Sequence, residues 1–298
     1  MKLGAIDVGT NSCRMLIVDY HQGRYQELKQ GLITTRLGEG VARTGLLKEE
    51  AIERALKAIK DFLREMRKAG VEKVTLVGTS ALRDVKNAGE LTARLEQETG
   101  NKLKIISGRE EARLIYTGVS IDLTGDDFLI IDIGGGSTEF IWQEAKQVVF
   151  KSLNIGAVRM TEGYISDPVK PVDNAELKVL KEAVNDKLTQ LINNHSFRAI
   201  GLGGTITTLA AIDLEMQEYE SVKIHRYKLT RDKVKEILAR LSKLSLDERK
   251  EIPGLQPERA DIIIAGTMIL QTIMEKFQLV EITISEHGIL YGIIREMG

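Results

Sequence analysis

The sequence predicts an α/β protein of two related domains whose glycine-containing loops face a cleft. Two stretches carry this prediction, because Asp7–Ser12 and Asp132–Ser137 share an aspartate after an apolar strand, one apolar residue, a glycine turn and a hydroxyl. A third stretch, Ala199–Thr207, ends another apolar run with two adjacent glycines and leads into a predicted helix. Two matching hairpins about 125 positions apart indicate a duplicated domain.

The residue types of the second stretch favour a phosphate and a metal ion. Asp132 lies in an apolar strand, where a buried carboxylate is costly unless a metal ion or a hydrogen-bond network pairs with it. Gly134–Ser137 can turn tightly, and their backbone N–H groups then form a nest that suits a phosphate. Glu139 adds a second carboxylate on the next strand. The alternative is that each stretch is an ordinary glycine hairpin with a capping aspartate.

The composition fits a two-domain protein without a strong overall charge. The 298 residues are enough for two domains of ordinary size, and 43% of them are hydrophobic. With 42 basic and 43 acidic residues the net charge is −1, so a local cluster must hold any polyanionic ligand. The single cysteine, Cys13, excludes an internal disulfide and is predicted to lie in the core. No apolar run approaches the ~20 residues of a membrane span and no cleavable signal precedes the first strand, so we expect a cytoplasmic protein without membrane contact.

The first domain is predicted to contain three hairpin strands followed by alternating helices and strands. Apolar residues recur every three or four positions from Lys48 to Ala69, which predicts a helix that Gly70 ends. The glycine-rich segment 38–45 is either a mobile loop over a cleft or a plain connector, and the sequence leaves both open. The predicted strands are 2–9, 13–20, 25–35, 74–78 and 103–106, and the predicted helices are 48–69, 88–98 and one capped by Ser107.

Two charged residues of this domain are candidates for chemistry. Arg83 follows the predicted strand 74–78, at the end where ligands of α/β sheets gather, and its guanidinium suits a phosphate. A solvated loop arginine is an equal alternative. Ser107 and Glu110 predict a capping box, which explains Glu110. Glu111 either interacts favourably with the helix dipole or faces the cleft and takes a proton from water.

A polar, turn-rich segment at 122–127 is predicted to separate the domains, and the second domain repeats the hairpin plan. The four histidines His21, His195, His225 and His287 lack the spacing of metal ligands and are not predicted to be catalytic. The predicted strands are 128–133, 138–143, 147–152, 198–202 and 282–284, and the predicted helices are 174–193, 205–212, 229–244, 261–277 and 286–297.

Several motifs together resemble one protein family. The two aspartate hairpins and Gly203–Thr205 are similar to the phosphate motifs of the superfamily of actin, hexokinase and the heat-shock chaperones. Within this superfamily, the chain resembles the exopolyphosphatase and guanosine pentaphosphate phosphohydrolase family almost from end to end. The segment Glu110–Leu114 is the discriminating one, because sugar kinases and chaperones of the superfamily lack it. The motifs are 7–12, 78–83, 107–114, 132–139, 203–205 and the closing segment 286–293.

The resemblance implies two ribonuclease H-like, actin-like ATPase domains with a cleft between them. The domains would span 1–123 and 124–298, with a final helix at about 286–298 packing back on the first domain. The implied activity is an exopolyphosphatase that hydrolyses the terminal phosphoanhydride of inorganic polyphosphate by metal-assisted, in-line attack of water. The alternatives are a guanosine pentaphosphate phosphohydrolase, a sugar or acetate kinase, and a non-enzymatic protein that binds polyphosphate or guanosine tetraphosphate.

The resemblance also implies roles for individual residues. Glu111 falls on the position of the family's proposed catalytic base. Asp132, Glu139 and, through water, Asp7 are the expected ligands of Mg²⁺, with Mn²⁺ as an alternative. The expected partners are inorganic polyphosphate or guanosine penta- and tetraphosphate, a homodimer is left open, and no nucleic acid is expected. The expected phosphate-binding residues are Gly9, Thr10, Asn11, Ser12, Arg83, Gly134, Gly135, Gly136, Ser137, Gly203, Gly204 and Thr205.

The point at which the sequence ends shapes the expected substrate. Longer members of the resembled family carry an added helical domain after the actin-like core. Because this sequence stops at that core, we expect short polyphosphate chains, weak processivity and no dimer built through an added domain.

Overall fold

The structure, a computed structural model, describes residues 1–21, 24–120, 123, 125, 127–191 and 197–298. The chain divides into two compact units, of which the first contains Met1–Ile121 and His287–Gly298 and the second contains Asp122–Glu286. The predicted domain boundary falls between residues 123 and 124, and residue 124 lies outside the described residues. His195 and the predicted helix end at 193 also lie outside them.

The first unit is built on a five-stranded mixed sheet. Three antiparallel strands come first, and two strands parallel to the first one follow, since helical connections bring the chain back to the same end of the sheet. The strands are β1 Lys2–Val8, β2 Ser12–His21, β3 Arg24–Thr34, β4 Lys73–Gly78 and β5 Leu103–Ile105. Their order across the sheet is β3-β2-β1-β4-β5.

The helices of the first unit cover an apolar core. Ile52 and Ile59 of the long predicted helix are fully buried in one cluster with Met15 of β2. Cys13 is buried in the same cluster, as predicted. The helices of residues 1–120 are α1 Val41–Thr44, α2 Glu49–Lys68, α3 Ser80–Arg83, α4 Ala88–Thr99 and α5 Gly108–Val119.

The second unit repeats this sheet and extends it by one strand. Its first three strands are again antiparallel, and the next strand runs parallel to the first of them. The strands are β6 Phe128–Ile133, β7 Thr138–Glu144, β8 Gln147–Leu153, β9 Arg198–Leu202, β10 Lys228–Thr230 and β11 Glu281–Ile284. Their order is β10-β11-β9-β6-β7-β8, so β8-β7-β6-β9-β11 reproduces the five-stranded order of the first unit.

The described helices of the second unit enclose a larger apolar core. The helix within the predicted range 261–277 is buried along nearly its whole length. The helices are α6 Ala157–Tyr164, α7 Asn174–Leu188, α8 Gly203–Asp213, α9 Ser221–Ile224, α10 Arg231–Leu241, α11 Leu246–Lys250 and α12 Ile263–Lys276, with a 3₁₀ turn at Pro257–Arg259.

Three helices of the second unit begin at positions other than the predicted ones, and one of them, α12, begins at Ile263 instead of residue 261. The predicted helix 229–244 begins at Arg231, because Leu229 and Thr230 pair with β11 as strand β10. The Thr230 hydroxyl then caps α10 by accepting a hydrogen bond from the Lys233 N–H at 3.3 Å. The predicted helix 205–212 begins two residues earlier, at Gly203, so both glycines lie in its first turn.

The last helix of the chain, α13 Ile289–Met297, belongs to the first unit. It packs against α5, where the Arg113 guanidinium forms an ion pair with Glu296. The Arg295 guanidinium donates to the Thr117 carbonyl at 3.0 Å and to the Ser120 hydroxyl at 2.8 Å. These contacts attach the end of the chain to the helix that carries Glu111.

Candidate active site

The first glycine loop joins β1 to β2 in a tight turn. The Gly9 N–H donates to the Ser12 carbonyl at 3.1 Å, which closes the turn. In the part of the chain that the structure describes, the backbone N–H groups of Thr10 and Asn11 have no hydrogen-bond acceptor. Such adjacent N–H groups form a nest that can bind a phosphate oxygen.

The segment that follows β3 donates hydrogen bonds to the carbonyl groups of this loop. The Thr35 and Arg36 N–H groups donate to the Asn11 carbonyl at 3.0 and 2.8 Å, and the Gly38 N–H donates to the Thr10 carbonyl at 2.8 Å. The carbonyl groups of Thr10 and Asn11 therefore already accept hydrogen bonds from the protein. Of these three donors only Gly38 lies within residues 38–45, so the start of that segment is fixed to the first glycine loop.

Asp7, at the end of β1, is paired with an arginine that is not among the predicted site residues. Asp7 and Arg14 are direct cross-strand neighbours, and Arg14 donates from Nε and Nη2 to the Asp7 Oδ2 atom at 3.1 and 2.6 Å. The Asp7 Oδ1 atom and the Asn11 Nδ2 atom are buried and have no hydrogen-bond partner among the described residues. Because buried polar atoms without partners are costly, both atoms indicate that water or a ligand occupies this loop.

Arg83 and Glu111 are brought into direct contact. Arg83 ends α3, just beyond β4, and Glu111 lies in the first turn of α5. The Arg83 Nη1 atom lies 2.5 Å from the Glu111 Oε2 atom, and the two side chains are only 17% and 12% exposed. The same Nη1 atom donates to the Ile106 carbonyl at 3.2 Å. Within the described ranges, the Nε and Nη2 atoms of Arg83 have no hydrogen-bond partner and remain available for a phosphate.

The predicted capping box before Glu111 forms only in part. The Ser107 hydroxyl accepts a hydrogen bond from the Glu110 N–H at 3.1 Å, as predicted. The Glu110 carboxylate does not return this bond to Ser107 but pairs with Lys104, the middle residue of β5. The lysine charge competes successfully with a neutral N–H group for the carboxylate.

The second glycine loop, between β6 and β7, repeats the first. The Gly134 N–H donates to the Ser137 carbonyl at 3.0 Å, the counterpart of the bond in the first loop. Across the described residues, the N–H groups of Gly135 and Gly136 have no acceptor. This loop is thus a second candidate nest for a phosphate.

The start of α6 fixes the carbonyl groups of the second loop. The Ala157 N–H donates to the Gly134 carbonyl at 3.0 Å. The Val158 and Arg159 N–H groups donate to the Gly135 carbonyl at 2.8 and 3.1 Å. In the first loop, too, the carbonyl groups accept hydrogen bonds from N–H groups of a later segment of the chain. The duplication therefore includes the hydrogen bonds that fix the two loops.

Asp132 and Glu139 face each other across β6 and β7. They are direct antiparallel partners, which places both carboxylates on one face of the sheet, and they are 7% and 1% exposed. The Glu139 Oε1 atom accepts hydrogen bonds from the hydroxyls of Ser137 and Ser152 at 2.8 and 2.7 Å. The third glycine stretch can approach Asp132 closely because Gly203 has no side chain. A Cβ atom at Gly203 would lie 2.5 Å from the Asp132 Oδ1 atom.

The third glycine stretch forms the first turn of α8 and lies against a buried arginine. A Cβ atom at Gly204 would lie 2.2 Å from the Nη1 atom of Arg259, so only glycine leaves room for the guanidinium. The Arg259 Nε atom donates to the Gln256 side chain at 3.0 Å. A helix N-terminus beside a guanidinium favours an anion. Arg259 is not among the predicted site residues because nothing local in the sequence places it beside Gly204.

A match to a family model decides what this chain is related to. The model of the Ppx/GppA phosphatase family matches residues 16–297. The chain belongs to the Ppx/GppA phosphatase family. The family recognised from the motifs and the predicted class of enzyme, a phosphohydrolase, are therefore confirmed.

Relatives with named activities extend this match. The chain is 33% identical to exopolyphosphatase 2 of Mycobacterium tuberculosis, over 98% of this chain and 97% of that protein. It is 37% identical to a bifunctional 3-dehydroquinate synthase/phosphatase of Fusobacterium nucleatum, over 98% of this chain. The chain spans about half of that relative's length, 46%.

A solved structure of the family has the same fold. The structure of an exopolyphosphatase from Cytophaga hutchinsonii is similar with a TM-score of 0.91 and 28% identity, over 100% of this chain and 97% of that chain. Together with the duplicated sheet order, this confirms the predicted class of two ribonuclease H-like, actin-like units. No helix among the described residues is long and apolar enough to cross a membrane.

The residues present in this Ppx/GppA protein fit a divalent cation at the second unit. No group of three or more His, Cys, Asp or Glu side chains that could hold a metal occurs among the described residues. Two facing carboxylates are nevertheless enough for Mg²⁺, which commonly takes one or two carboxylates and completes its shell with water and phosphate oxygens. Asp132 and Glu139 supply such a pair.

Proposed function

We propose that this protein is an exopolyphosphatase, which hydrolyses the terminal phosphoanhydride bond of inorganic polyphosphate and releases orthophosphate. The observation that carries the proposal is the contact between Arg83 and Glu111. It joins a candidate base to a guanidinium that still has two nitrogen atoms available for a phosphate. The exopolyphosphatase relative supports the substrate class, because it matches this chain over nearly the full length of both proteins.

Each residue has a defined part in the proposed reaction. Glu111 accepts a proton from water, the water oxygen bonds to the terminal phosphorus, and the bridging P–O bond breaks. The leaving polyphosphate keeps the electron pair of that bond. Arg83 and the N–H groups of the first glycine loop, which belong to the same unit as Glu111, bind phosphoryl oxygens and cancel the charge that develops on them.

A divalent cation belongs to this proposal, with Asp132 and Glu139 as the residues that would hold it. When bound, it neutralises negative charge on the phosphate groups. Ser137 and Ser152 hold Glu139 by hydrogen bonds to one carboxylate oxygen, so this side chain is already oriented. Mg²⁺ is the expected ion and Mn²⁺ the alternative, since both prefer oxygen ligands.

Guanosine pentaphosphate is the competing substrate, because its terminal phosphoanhydride requires the same chemistry. A binding protein without turnover is the competing non-enzymatic function. Polyphosphate and the nucleotide differ only in what lies beyond the terminal phosphates, so the described glycine loops do not discriminate between them. Substrate assays must therefore separate these functions.

The test is orthophosphate release in the presence of Mg²⁺ from short polyphosphate, long polyphosphate and guanosine pentaphosphate. We expect release from polyphosphate by the wild-type protein and a loss of roughly 10²- to 10⁴-fold in Glu111→Gln, the usual contribution of a general base. The matched control is Glu110→Gln, which changes the neighbouring glutamate of the same helical turn and should keep wild-type turnover.

Each other outcome contradicts a named part of the proposal. Release from the nucleotide alone assigns the protein to the competing hydrolase. Binding of polyphosphate without any release assigns it to the binding proteins. Near-normal turnover of Glu111→Gln shows that Glu111 is not the catalytic base.

A further inference from the structure

A completely buried arginine of the second unit, Arg249 in α11, has no part in the reaction described so far. An apolar side chain of similar size would fill its place without the cost of burying a charge, so its hydrogen bonds are what the arginine provides. Its guanidinium donates to four main-chain carbonyl groups, from Nε to Ser245 at 3.3 Å, from Nη1 to Ala260 at 2.6 Å, and from Nη2 to Pro168 at 2.5 Å and Lys170 at 3.3 Å.

These four bonds join three segments of the second unit. Ser245 is the N-cap of α11 itself, and Pro168 and Lys170 lie in the connection between α6 and α7. Ala260 directly follows the 3₁₀ turn Pro257–Arg259. The bond to Ala260 therefore connects the buried guanidinium to the turn that carries Arg259, the residue beside the third glycine stretch.

The turn that carries Arg259 has few hydrogen bonds of its own. The Arg259 N–H donates to the Gln256 carbonyl at 2.9 Å, and the Ala260 N–H donates to the Pro257 carbonyl at 3.3 Å. The hydrogen bonds of a 3₁₀ turn have poorer geometry than those of an α-helix, so such a short turn depends on support from outside. The Arg249 guanidinium provides this support at the buried carbonyl of Ala260.

The segment between Arg249 and Arg259 lies tightly against α8. A Cβ atom at Gly254, which has a φ of +84°, would lie 2.2 Å from the carbonyl group of Ala211 near the end of α8. A Cβ atom at Gly204, in the first turn of α8, would lie 2.2 Å from the Arg259 guanidinium. Because both contacts leave no spare room, a shift of the turn moves the guanidinium away from the start of α8.

We propose that Arg249 is a positioning residue, which holds Arg259 against the first turn of α8 so that the guanidinium and the helix N-terminus bind one phosphoryl group of the substrate together. This inference rests on the proposed function and adds to it a residue that does not touch the substrate. Arg249 acts through the Ala260 carbonyl, and a small displacement of a binding group is enough to weaken its contact with a ligand.

The experiment is a double-mutant cycle on the full chain, with kcat and KM measured for hydrolysis of inorganic tripolyphosphate in the presence of Mg²⁺. Arg249→Lys keeps the charge but cannot reach all four carbonyl groups. We expect Arg259→Gln to raise KM about 10- to 100-fold, the loss of a charge-assisted contact, and Arg249→Lys to raise it about 10-fold with kcat nearly unchanged. The double variant should have the KM of Arg259→Gln alone, because Arg249 then has no guanidinium left to position.

Two controls separate positioning from a loss of stability. Arg240→Lys makes the same substitution at an exposed residue of the last turn of α10 and should keep both constants. Leu188→Ala removes a buried side chain from the core of the same unit, so it lowers stability and should leave KM unaltered wherever the protein is folded. Circular dichroism establishes that each variant is folded at the assay temperature. If Arg249→Lys does not fold, Arg249→Met, which fills the place without burying a charge, replaces it in the cycle.

Three results would overturn the inference while leaving the proposed function intact. They are a wild-type KM in Arg249→Lys, a wild-type KM in Arg259→Gln, and an equal rise of KM by Arg249→Lys in the presence and in the absence of the Arg259 guanidinium. A wild-type protein that releases no orthophosphate contradicts the proposed function instead. The same cycle, with the Kd of tripolyphosphate measured by calorimetry in place of KM, then decides whether Arg249 positions Arg259.

Discussion

The guanidinium of Arg83 holds the carboxylate of Glu111 through one nitrogen atom while its other two nitrogen atoms have no hydrogen-bond partner among the described residues. The contact is 2.5 Å long and largely shielded from solvent. Since a guanidinium is planar and rigid, a phosphate bound to its second edge lies at a fixed distance from Glu111. We therefore propose that Arg83 connects substrate binding to the position of the candidate base.

Arg83→Lys tests this connection, because lysine keeps the charge but lacks the planar fork. We expect kcat/KM for polyphosphate to fall about 10- to 100-fold, which corresponds to one or more charge-assisted hydrogen bonds of about 1.5–3 kcal/mol. The decisive measurement is the separation of kcat from KM. A residue that only binds phosphate would raise KM, whereas one that also positions Glu111 lowers kcat.

Arg109→Lys is the control for Arg83→Lys, since Arg109 is exposed in the same turn of α5 as Glu111. It should leave both constants close to the wild-type values. A normal kcat in Arg83→Lys, together with a raised KM, would remove the positioning role and leave Arg83 as a phosphate ligand.

Gly204→Ala tests whether Arg259 belongs to the phosphate site. The added Cβ atom would lie within 2.2–2.3 Å of three guanidinium atoms, so Arg259 has to move away from the start of α8. We expect KM for polyphosphate to rise about 10- to 100-fold, the loss of a charge-assisted contact, and stability to fall by about 1–3 kcal/mol through overpacking. Steady-state kinetics and thermal unfolding measure the two effects separately.

Gly163→Ala provides the matched control for Gly204→Ala, because a Cβ atom at this helical position of α6 meets no atom within 4 Å. The change should leave KM unaltered and stabilise the protein by about 0.4–1 kcal/mol, as alanine restricts the unfolded chain. An unchanged KM in Gly204→Ala would exclude Arg259 from substrate binding.

The sequence predicted the parts of the fold that depend on local patterns. The hairpins at Asp7 and Asp132 were recognised because each combines an apolar strand, an aspartate and a glycine turn within a few residues. Helix α2 was recognised from its apolar periodicity. The start of α10 was placed two residues early, since the pairing of Leu229 and Thr230 with β11 depends on a strand far along the chain.

The parts of the site that were missed depend on pairing and on tertiary contacts. Arg14 could have been predicted from the sequence, because it follows Asp7 by seven positions just as Glu139 follows Asp132 by seven positions. Comparing the two repeats beyond their loops would have revealed the opposite charges. Arg259 could not have been predicted from the sequence, because only the packing of the 3₁₀ turn against α8 places it at Gly204.

The buried thiol of Cys13 gives a prediction for the core of the first unit. Burial raises the pKa of this thiol from 9.0 to about 12, with the Thr35 hydroxyl as a partner at 3.9 Å. Because the charged form is disfavoured only in the folded protein, the unfolded chain loses this proton first as the pH rises. Stability contributed by the protonated thiol is therefore complete below about pH 9 and decreases from there towards about pH 12.

We expect the free energy of unfolding to fall by about 1.4 kcal/mol more in the wild-type protein than in Cys13→Ala between about pH 8 and pH 10. Denaturant unfolding of both proteins at both pH values measures this difference. Because the change with pH is compared between the two proteins, the contributions of other titrating groups cancel. Alkylation offers an independent readout, since iodoacetamide should modify Cys13 rapidly in denaturant and very slowly in the native protein at about pH 8. Equal pH dependence of the two proteins, or rapid alkylation of the native chain, would show that Cys13 is reached by solvent and that the core around β2 opens readily.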